Sequence, residues 1–134
     1  MRILVVGAGG LGTVVAGALA ASGCEVVVYC RPYQVAPIAA EGLAVTGVRA
    51  VRATVQATAD AAAIGPVDYL LLTVKTRDTE AALAAVRAVP VGAAVSLQNG
   101  LAKNDQLAAC FGRERVLGAA TILGATAEGP GRAV

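Results

Sequence analysis

The chain of 134 residues contains no histidine and no tryptophan, and it has only one phenylalanine and one methionine. The absence of histidine excludes histidine-based proton relays and histidine metal sites, and we expect no bound metal ion. The three cysteines, Cys24, Cys30 and Cys110, are scattered and form no C-x-x-C pair. This pattern is typical of reduced thiols, so we expect a cytoplasmic protein.

Charged residues are also scarce, at 15% of the chain with a net charge of +2. No basic run occurs, so the electrostatic footprint of a nucleic-acid-binding protein is absent. Hydrophobic residues make up 57%, which is the opposite of the balance in a disordered chain. Many are alanine and valine, which suit close helix packing and buried strands. Length and composition predict one domain spanning residues 1–134.

The first apolar segment, residues 3–21, follows Met1-Arg2 and resembles a signal peptide or a membrane span. Four glycines interrupt it, at positions 7, 9, 10 and 12, and neither kind of segment requires them. A glycine turn between a strand and a helix explains both the glycines and the residues after them. We therefore expect no interaction with a membrane.

Short apolar runs alternate with longer alanine-rich runs, which predicts strands separated by helices. Strands are predicted at residues 2–6, 25–29, 43–45, 48–55, 68–74, 94–97 and 116–123, with the third and fourth forming a hairpin. Helices are predicted at residues 10–22, 78–89 and 104–111, with one helical turn at 60–64. We expect Asp78 to cap its helix and Pro32 to break the chain after the second strand. The alternation predicts an α/β fold with a doubly wound, mostly parallel sheet and helices on both faces.

The first strand is followed at once by a G-x-G-x-x-G sequence, Gly7-Ala8-Gly9-Gly10-Leu11-Gly12, which opens the first helix. In this context the first glycine makes the tight turn, the second lets the backbone approach a pyrophosphate, and the third allows close helix–strand packing. The anion then lies against the N–H groups at the positive end of the helix dipole. The alternative is that these glycines serve packing only.

The exit of the second strand carries an arginine, Arg31, where NAD-binding domains place an acidic residue against the ribose hydroxyls. No acid occurs between Glu25 and Glu41, and Glu25 lies at the wrong end of the strand. A guanidinium at this position attracts the 2′-phosphate of NADP, whereas a carboxylate repels it. We therefore predict NADP as the cofactor, the alternative being that Arg31 is an ordinary solvated arginine.

Further candidates follow the other strands, because the carboxyl ends of parallel strands meet at one edge of the sheet. Lys75, Gln98, Asn99 and Gly124 occupy these exits. The lysine is a candidate donor to a phosphate, a ribose hydroxyl or a substrate carbonyl. The Asn99 amide is a candidate donor to the nicotinamide ribose or to a substrate oxygen, and Gly124 would let the backbone approach the nicotinamide. Each also has a structural explanation, as a surface lysine or as a turn residue.

In these motifs the chain resembles the ketopantoate reductase (2-dehydropantoate 2-reductase) family. The likeness rests on residues 3–12 (ILVVGAGGLG), Arg31, 67–76 (VDYLLLTVKT), 78–83, 97–101 (LQNGL) with Asn104, 116–118 and 129–131. It implies a six-stranded Rossmann domain that binds NADPH. By motif match, Arg31 would bind the 2′-phosphate, the Gly7–Gly12 turn the pyrophosphate, and Lys75, Asn99 and Gly124 the nicotinamide half.

The resemblance also implies an activity, the reduction of a 2-keto acid, 2-dehydropantoate, by hydride transfer from NADPH. Family members are more than twice as long, and their second half is a helical domain carrying the general-acid lysine. We therefore expect a truncated domain that binds the cofactor, keeps Lys75 and Asn99 as supporting donors, and has no activity alone. A homodimer is a further expectation. The alternatives are another dehydrogenase, of the glycerol-phosphate or 6-phosphogluconate type, and a regulatory module that senses nucleotides without turnover.

Overall fold

A computed structural model describes residues 1–100 and 102–134; Leu101, the last residue of the LQNGL motif, lies outside the described residues. The described residues form four α-helices, α1 (Gly10–Ala21), α2 (Pro32–Glu41), α3 (Thr79–Val86) and α4 (Lys103–Phe111). Short 3₁₀ helices cover Ala61–Ala63, Thr76–Asp78 and Arg113–Arg115. The strands are β1 (Arg2–Val6), β2 (Glu25–Tyr29), β3 (Leu43–Val45), β4 (Val51–Ala53), β5 (Gln56–Thr58), β6 (Val67–Leu72), β7 (Val91–Ser96), β8 (Val116–Leu117), β9 (Ala127–Gly129) and β10 (Arg132–Ala133).

Six of the strands form a parallel sheet in the order β5-β2-β1-β6-β7-β8. The chain builds outward from β1 in one direction through β2 and β5, and then in the other through β6, β7 and β8. This order places a topological switch point between β1 and β6, where open α/β sheets bind their ligands. The predicted six-stranded, doubly wound Rossmann fold is confirmed.

The two faces of this sheet are each covered by helices, because alternate residues of a strand point to opposite faces. In β1, Leu4 and Val6 belong to one buried cluster, which includes residues of α3 and α4. Ile3 and Val5 belong to the other, which includes residues of α1 and α2. All four side chains are at most 4% exposed, so β1 lies at the centre of the core.

A second, smaller sheet has the order β4-β3-β10-β9 and lies against α1. The predicted hairpin is confirmed in β3 and β4, which pair antiparallel across Thr46-Gly47. β10 pairs parallel with β3 and antiparallel with β9. The sequence analysis predicts no regular element after residue 123, and this is wrong. These last strands are only two and three residues long and depend on β3, a partner far away in sequence.

Three further expectations about elements are wrong. Pro32 does not break the chain but begins α2, because a proline at the first helical position loses no helical hydrogen bond and its φ suits the helix. The stretch predicted as one strand over 48–55 contains only β4, and a separate strand, β5, follows it and extends the large sheet. The strand predicted over 116–123 is limited to Val116–Leu117.

Among the described residues, no helix is long and apolar enough to cross a bilayer.

Candidate functional site

A cleft of about 1040 Å³ opens at the carboxyl edge of the large sheet, at the switch point between β1 and β6. The residues that line it follow four of the parallel strands, at 7–11, 30–34, 73–78 and 97–99, and are joined by side chains from 123–130. The volume is that of a pocket for a large organic ligand. The cleft therefore brings together the strand exits that the sequence singles out.

The glycine turn forms the floor of this cleft. Gly7 has φ of +113°, a left-handed conformation that favours glycine, and its N–H donates to the Tyr29 carbonyl at 2.9 Å. A Cβ on Gly12 would lie 2.0 Å from the Gly7 carbonyl oxygen, so this glycine is required for helix and strand to pack. A Cβ on Gly9 would meet nothing within 4 Å. The space beside Gly9 is thus open to a ligand, while Gly12 serves packing, as the motif predicts.

The N-terminus of α1 points its backbone donors into the same space. The first bond of the helical ladder runs from the Thr13 N–H to the Gly9 carbonyl at 2.9 Å, so the N–H groups of Gly10, Leu11 and Gly12 precede it. No acidic residue lies in the first turn of α1. The positive end of the helix dipole therefore faces the cleft with no acidic side chain in its first turn, which favours an anion at this position.

Two polar side chains that the sequence analysis does not identify hold this turn in place. The Thr73 hydroxyl lies 2.9 Å from the Val6 carbonyl oxygen and 3.1 Å from that of Gly7. The Gln34 amide donates to the Ala8 carbonyl at 3.2 Å, and its Oε1 accepts from the Arg31 N–H at 3.2 Å. The i, i+3 spacing of Arg31 and Gln34 at the start of a helix is the sequence signal for the bond between the Arg31 N–H and the Gln34 side chain.

Arg31 lies where the sequence predicts, at the exit of β2, as the residue that precedes α2. Its side chain is 66% exposed, and its Nη2 lies 3.7 Å from the Asp78 Oδ2. Asp78 occupies the N-cap position of α3, as the sequence predicts, but its side chain makes no capping hydrogen bond. Its carboxylate instead faces the arginines of the cleft, at the place where the chain brings the exits of β2 and β6 together. Next to Arg31, burial raises the pKa of the Cys30 thiol, which favours the neutral form.

Lys75 and Asn99 follow β6 and β7, and both line the cleft with exposed side chains. Their segments are joined by a bond from the Thr76 hydroxyl to the Asn99 carbonyl at 3.2 Å. The exits of β6 and β7 are therefore neighbours, as the sequence predicts, and the Lys75 ammonium and the Asn99 amide lie beside the same cleft.

Gln98, also expected at this edge, is buried and bonds to the protein itself. Its Nε2 donates to the Val74 carbonyl at 2.7 Å and to the Thr79 hydroxyl at 2.6 Å, while its Oε1 accepts from the Ser96 hydroxyl at 3.1 Å. It thereby ties the end of β7 to the residue before Lys75. Gln98 therefore holds in place the segment that carries Lys75.

Gly124 is exposed, within a stretch that forms no helix or strand. Leu123 and Ala125, on either side of it, line the cleft. A Cβ on Gly10 would lie 2.6 Å from the Ala125 carbonyl oxygen, so this stretch lies against the start of α1. The structure places Gly124 at the edge of the cleft, and its predicted contact with the nicotinamide stays a prediction.

The parallel sheet, the glycine turn and the cleft at the switch point define a Rossmann nucleotide-binding fold. Residues 3–134 match the family model described as Ketopantoate reductase PanE/ApbA. The chain belongs to this ketopantoate reductase family.

Two curated relatives carry the name 2-dehydropantoate 2-reductase. The protein from Pyrococcus abyssi is 33% identical over 132 residues, and the one from Archaeoglobus fulgidus is 32% identical over 133 residues. The matches cover 98% and 99% of this chain but 43% of each relative. The chain thus spans less than half the length of these relatives.

Solved structures of family members and of a related dehydrogenase share the fold of this chain. A PanE/ApbA family ketopantoate reductase from Ralstonia eutropha JMP134 superposes with a TM-score of 0.87 at 31% identity, over 99% of this chain and 45% of that one. D-mandelate dehydrogenase, solved with NADH and anilino(oxo)acetate, superposes with a TM-score of 0.89 at 25% identity, over 99% of this chain and 44% of that one.

Proposed function

We propose that this chain binds NADPH as the nucleotide-binding domain of an oxidoreductase that reduces a 2-keto acid, with 2-dehydropantoate as the expected substrate and pantoate as the product. The observation that carries the proposal is one cleft that has the glycine turn as its floor and the Arg31 guanidinium at its edge. Family membership favours this function over a glycerol-phosphate or 6-phosphogluconate dehydrogenase and over a nucleotide-sensing module.

In this proposal the pyrophosphate lies against the backbone N–H groups of Gly10 and Leu11, where the helix dipole is positive. Arg31 binds the 2′-phosphate with charge-assisted hydrogen bonds. The nicotinamide half then extends toward Lys75, Asn99 and the backbone around Gly124. When bound, NADPH supplies the hydride that reduces the ketone carbon.

Lys75 and Asn99 are the proposed supporting donors of this domain. The ketone oxygen gains negative charge as the hydride arrives, and an ammonium and an amide at the same opening stabilise that charge. The proton that completes the alcohol must come from a general acid, and the family resemblance assigns that acid to a segment this chain does not match. We therefore expect the chain alone to bind NADPH without oxidising it when 2-dehydropantoate is added. Steady NADPH oxidation by the purified chain would contradict this expectation.

The choice of NADPH over NADH depends on the exit of β2. Arg31 occupies this exit, so the exit offers the 2′-phosphate a cation. NADH is the alternative, because D-mandelate dehydrogenase, at 25% identity, is solved with NADH. The expected homodimer and the cytoplasmic location stay predictions.

A titration of the chain with each dinucleotide tests the proposal. We expect NADPH to bind at least about tenfold more tightly than NADH, since hydrogen bonds to a charged group contribute roughly 1.5–3 kcal/mol. Arg31→Ala should reduce this difference by weakening NADPH and leaving NADH nearly unchanged. Arg113→Ala is the matched control, because Arg113 is also exposed, is also paired with an aspartate, and does not line the cleft. Equal binding of the two cofactors, or a preference for NADH, would refute the choice of NADPH.

A further inference from the structure

Two arginine side chains meet one carboxylate at the edge of the cleft. Arg31 Nη2 lies 3.7 Å from Asp78 Oδ2, and Arg77 Nε lies 3.8 Å from the same oxygen. Arg31 follows β2, whereas Arg77 and Asp78 belong to the 3₁₀ helix after β6. All three residues line the cleft. The fold therefore adds a second guanidinium to the one that the β2 exit supplies.

The pairs that hold this cluster together are weak. The side chains of Arg31, Arg77 and Asp78 are 66%, 78% and 36% exposed, and both distances exceed those of a direct hydrogen bond. Ion pairs this exposed contribute little to stability, so exchanging the carboxylate for another anion costs little.

The carboxylate marks a position at which an anion contacts both guanidinium groups. A phosphate monoester carries about −1.5 to −2 charge at neutral pH and three acceptor oxygens, whereas the Asp78 carboxylate carries a single charge. A phosphate at this position is therefore the stronger partner for Arg31 and Arg77, and it is repelled by Asp78 if the carboxylate stays.

We propose that Arg77 is a second ligand of the cofactor's 2′-phosphate and that Asp78 holds both arginines until the phosphate takes its place. The inference rests on the proposed binding of NADPH through Arg31. Arg77 then increases the preference for the phosphorylated cofactor, and Asp78 decreases it. The two neighbouring residues adjust cofactor choice in opposite directions without contributing to the core.

The test uses two nucleotides that isolate the 2′-phosphate, 2′,5′-ADP and 5′-AMP, titrated into the chain and followed by NMR. Arg77→Ala is expected to weaken 2′,5′-ADP by about five- to tenfold and to change 5′-AMP by less than about twofold. Asp78→Asn is expected to strengthen 2′,5′-ADP about threefold, because it removes a like charge and keeps the side chain's size. Arg113→Ala and Asp105→Asn change the net charge equally, at an exposed pair 3.4 Å apart that does not line the cleft, and should change neither affinity.

The outcomes separate this inference from the proposed function. If Arg31→Ala loses selectivity for 2′,5′-ADP while Arg77→Ala keeps it, Arg77 is not a ligand and the inference is overturned, although NADPH binding stands. Weaker binding of 2′,5′-ADP by Asp78→Asn would also overturn it, because Asp78 would then support Arg31 and not compete with the phosphate. If the unchanged chain does not distinguish the two nucleotides, the proposed NADPH preference fails, and the role of Arg77 fails with it.

Discussion

The two ends of the cleft differ in the chemical groups that they present to it. At the Gly7–Gly12 turn the binding groups are backbone donors, held by buried packing and by the Thr73 hydroxyl. At the Arg31–Asp78 edge they are exposed side chains joined by long ion pairs. Gly7 and Gly12 cannot be replaced without disturbing the packing of β1 and α1, whereas the side chains of the edge can change at little cost in stability. In the proposed function, the binding of any dinucleotide therefore depends on the fold, and the choice between dinucleotides depends on exposed side chains at the edge of the cleft.

The largest expected effect belongs to Gly12→Ala. The new Cβ would lie 2.0 Å from the Gly7 carbonyl oxygen and 2.7 Å from the Thr73 hydroxyl oxygen, and the backbone oxygen cannot move away as a flexible side chain can. We expect a loss of about 3 kcal/mol or more in the free energy of unfolding, measured by urea denaturation. Unchanged stability would show that the turn is not held by packing.

Gln98→Leu should have the next largest effect. It leaves the Val74 carbonyl and the Thr79 hydroxyl without the amide that bonds to both, at a cost of roughly 2 kcal/mol in unfolding free energy. Because Val74 precedes Lys75, we also expect NADPH binding to weaken about threefold. Gln56→Leu, at an exposed glutamine of β5, is the control and should change neither quantity. Full stability in Gln98→Leu would contradict the account of the β6–β7 connection.

Gly9→Ala should change binding while stability stays within about 0.5 kcal/mol, which makes it the smallest effect on the fold. Its Cβ would meet no atom of the chain within 4 Å, and Gly9 already has an extended backbone conformation that alanine accepts. The methyl group would instead occupy the space into which a pyrophosphate fits. We expect affinity for NADPH and NADH to fall together, by about tenfold or more, in a calorimetric titration. Normal affinity for both would show that the turn does not contact the ligand closely.

The sequence predicts elements that are specified by a local pattern, and it misses elements that depend on distant partners. The strand of residues 2–6 and the helix after the glycines are local patterns, and both are found within a residue of their predicted bounds. Pro32 is ambiguous locally, since the same residue ends one element or begins another. β10 and β5 are short, and their existence depends on pairing with distant strands, which no local pattern reports.

The residues of the candidate site also differ in how far the sequence predicts them. The glycine turn, Arg31, Lys75 and Asn99 are predicted at this edge because each follows a strand, and parallel strands end at one edge of the sheet. The sequence predicts that Asp78 lies at the start of its helix, but it does not show that the carboxylate lies beside Arg31, which is distant in sequence. Gln98 is recognised as a residue of this edge, but only the folded structure shows that its amide bonds to the Val74 carbonyl and the Thr79 hydroxyl.

A crystal structure of the chain with NADPH tests the central claim most directly. We predict density for the pyrophosphate against the N–H groups of Gly10 and Leu11, and for the 2′-phosphate within hydrogen-bond distance of the Arg31 guanidinium. An absence of cofactor density at the glycine turn would contradict the account, as would a bound cofactor whose 2′-phosphate lies away from Arg31.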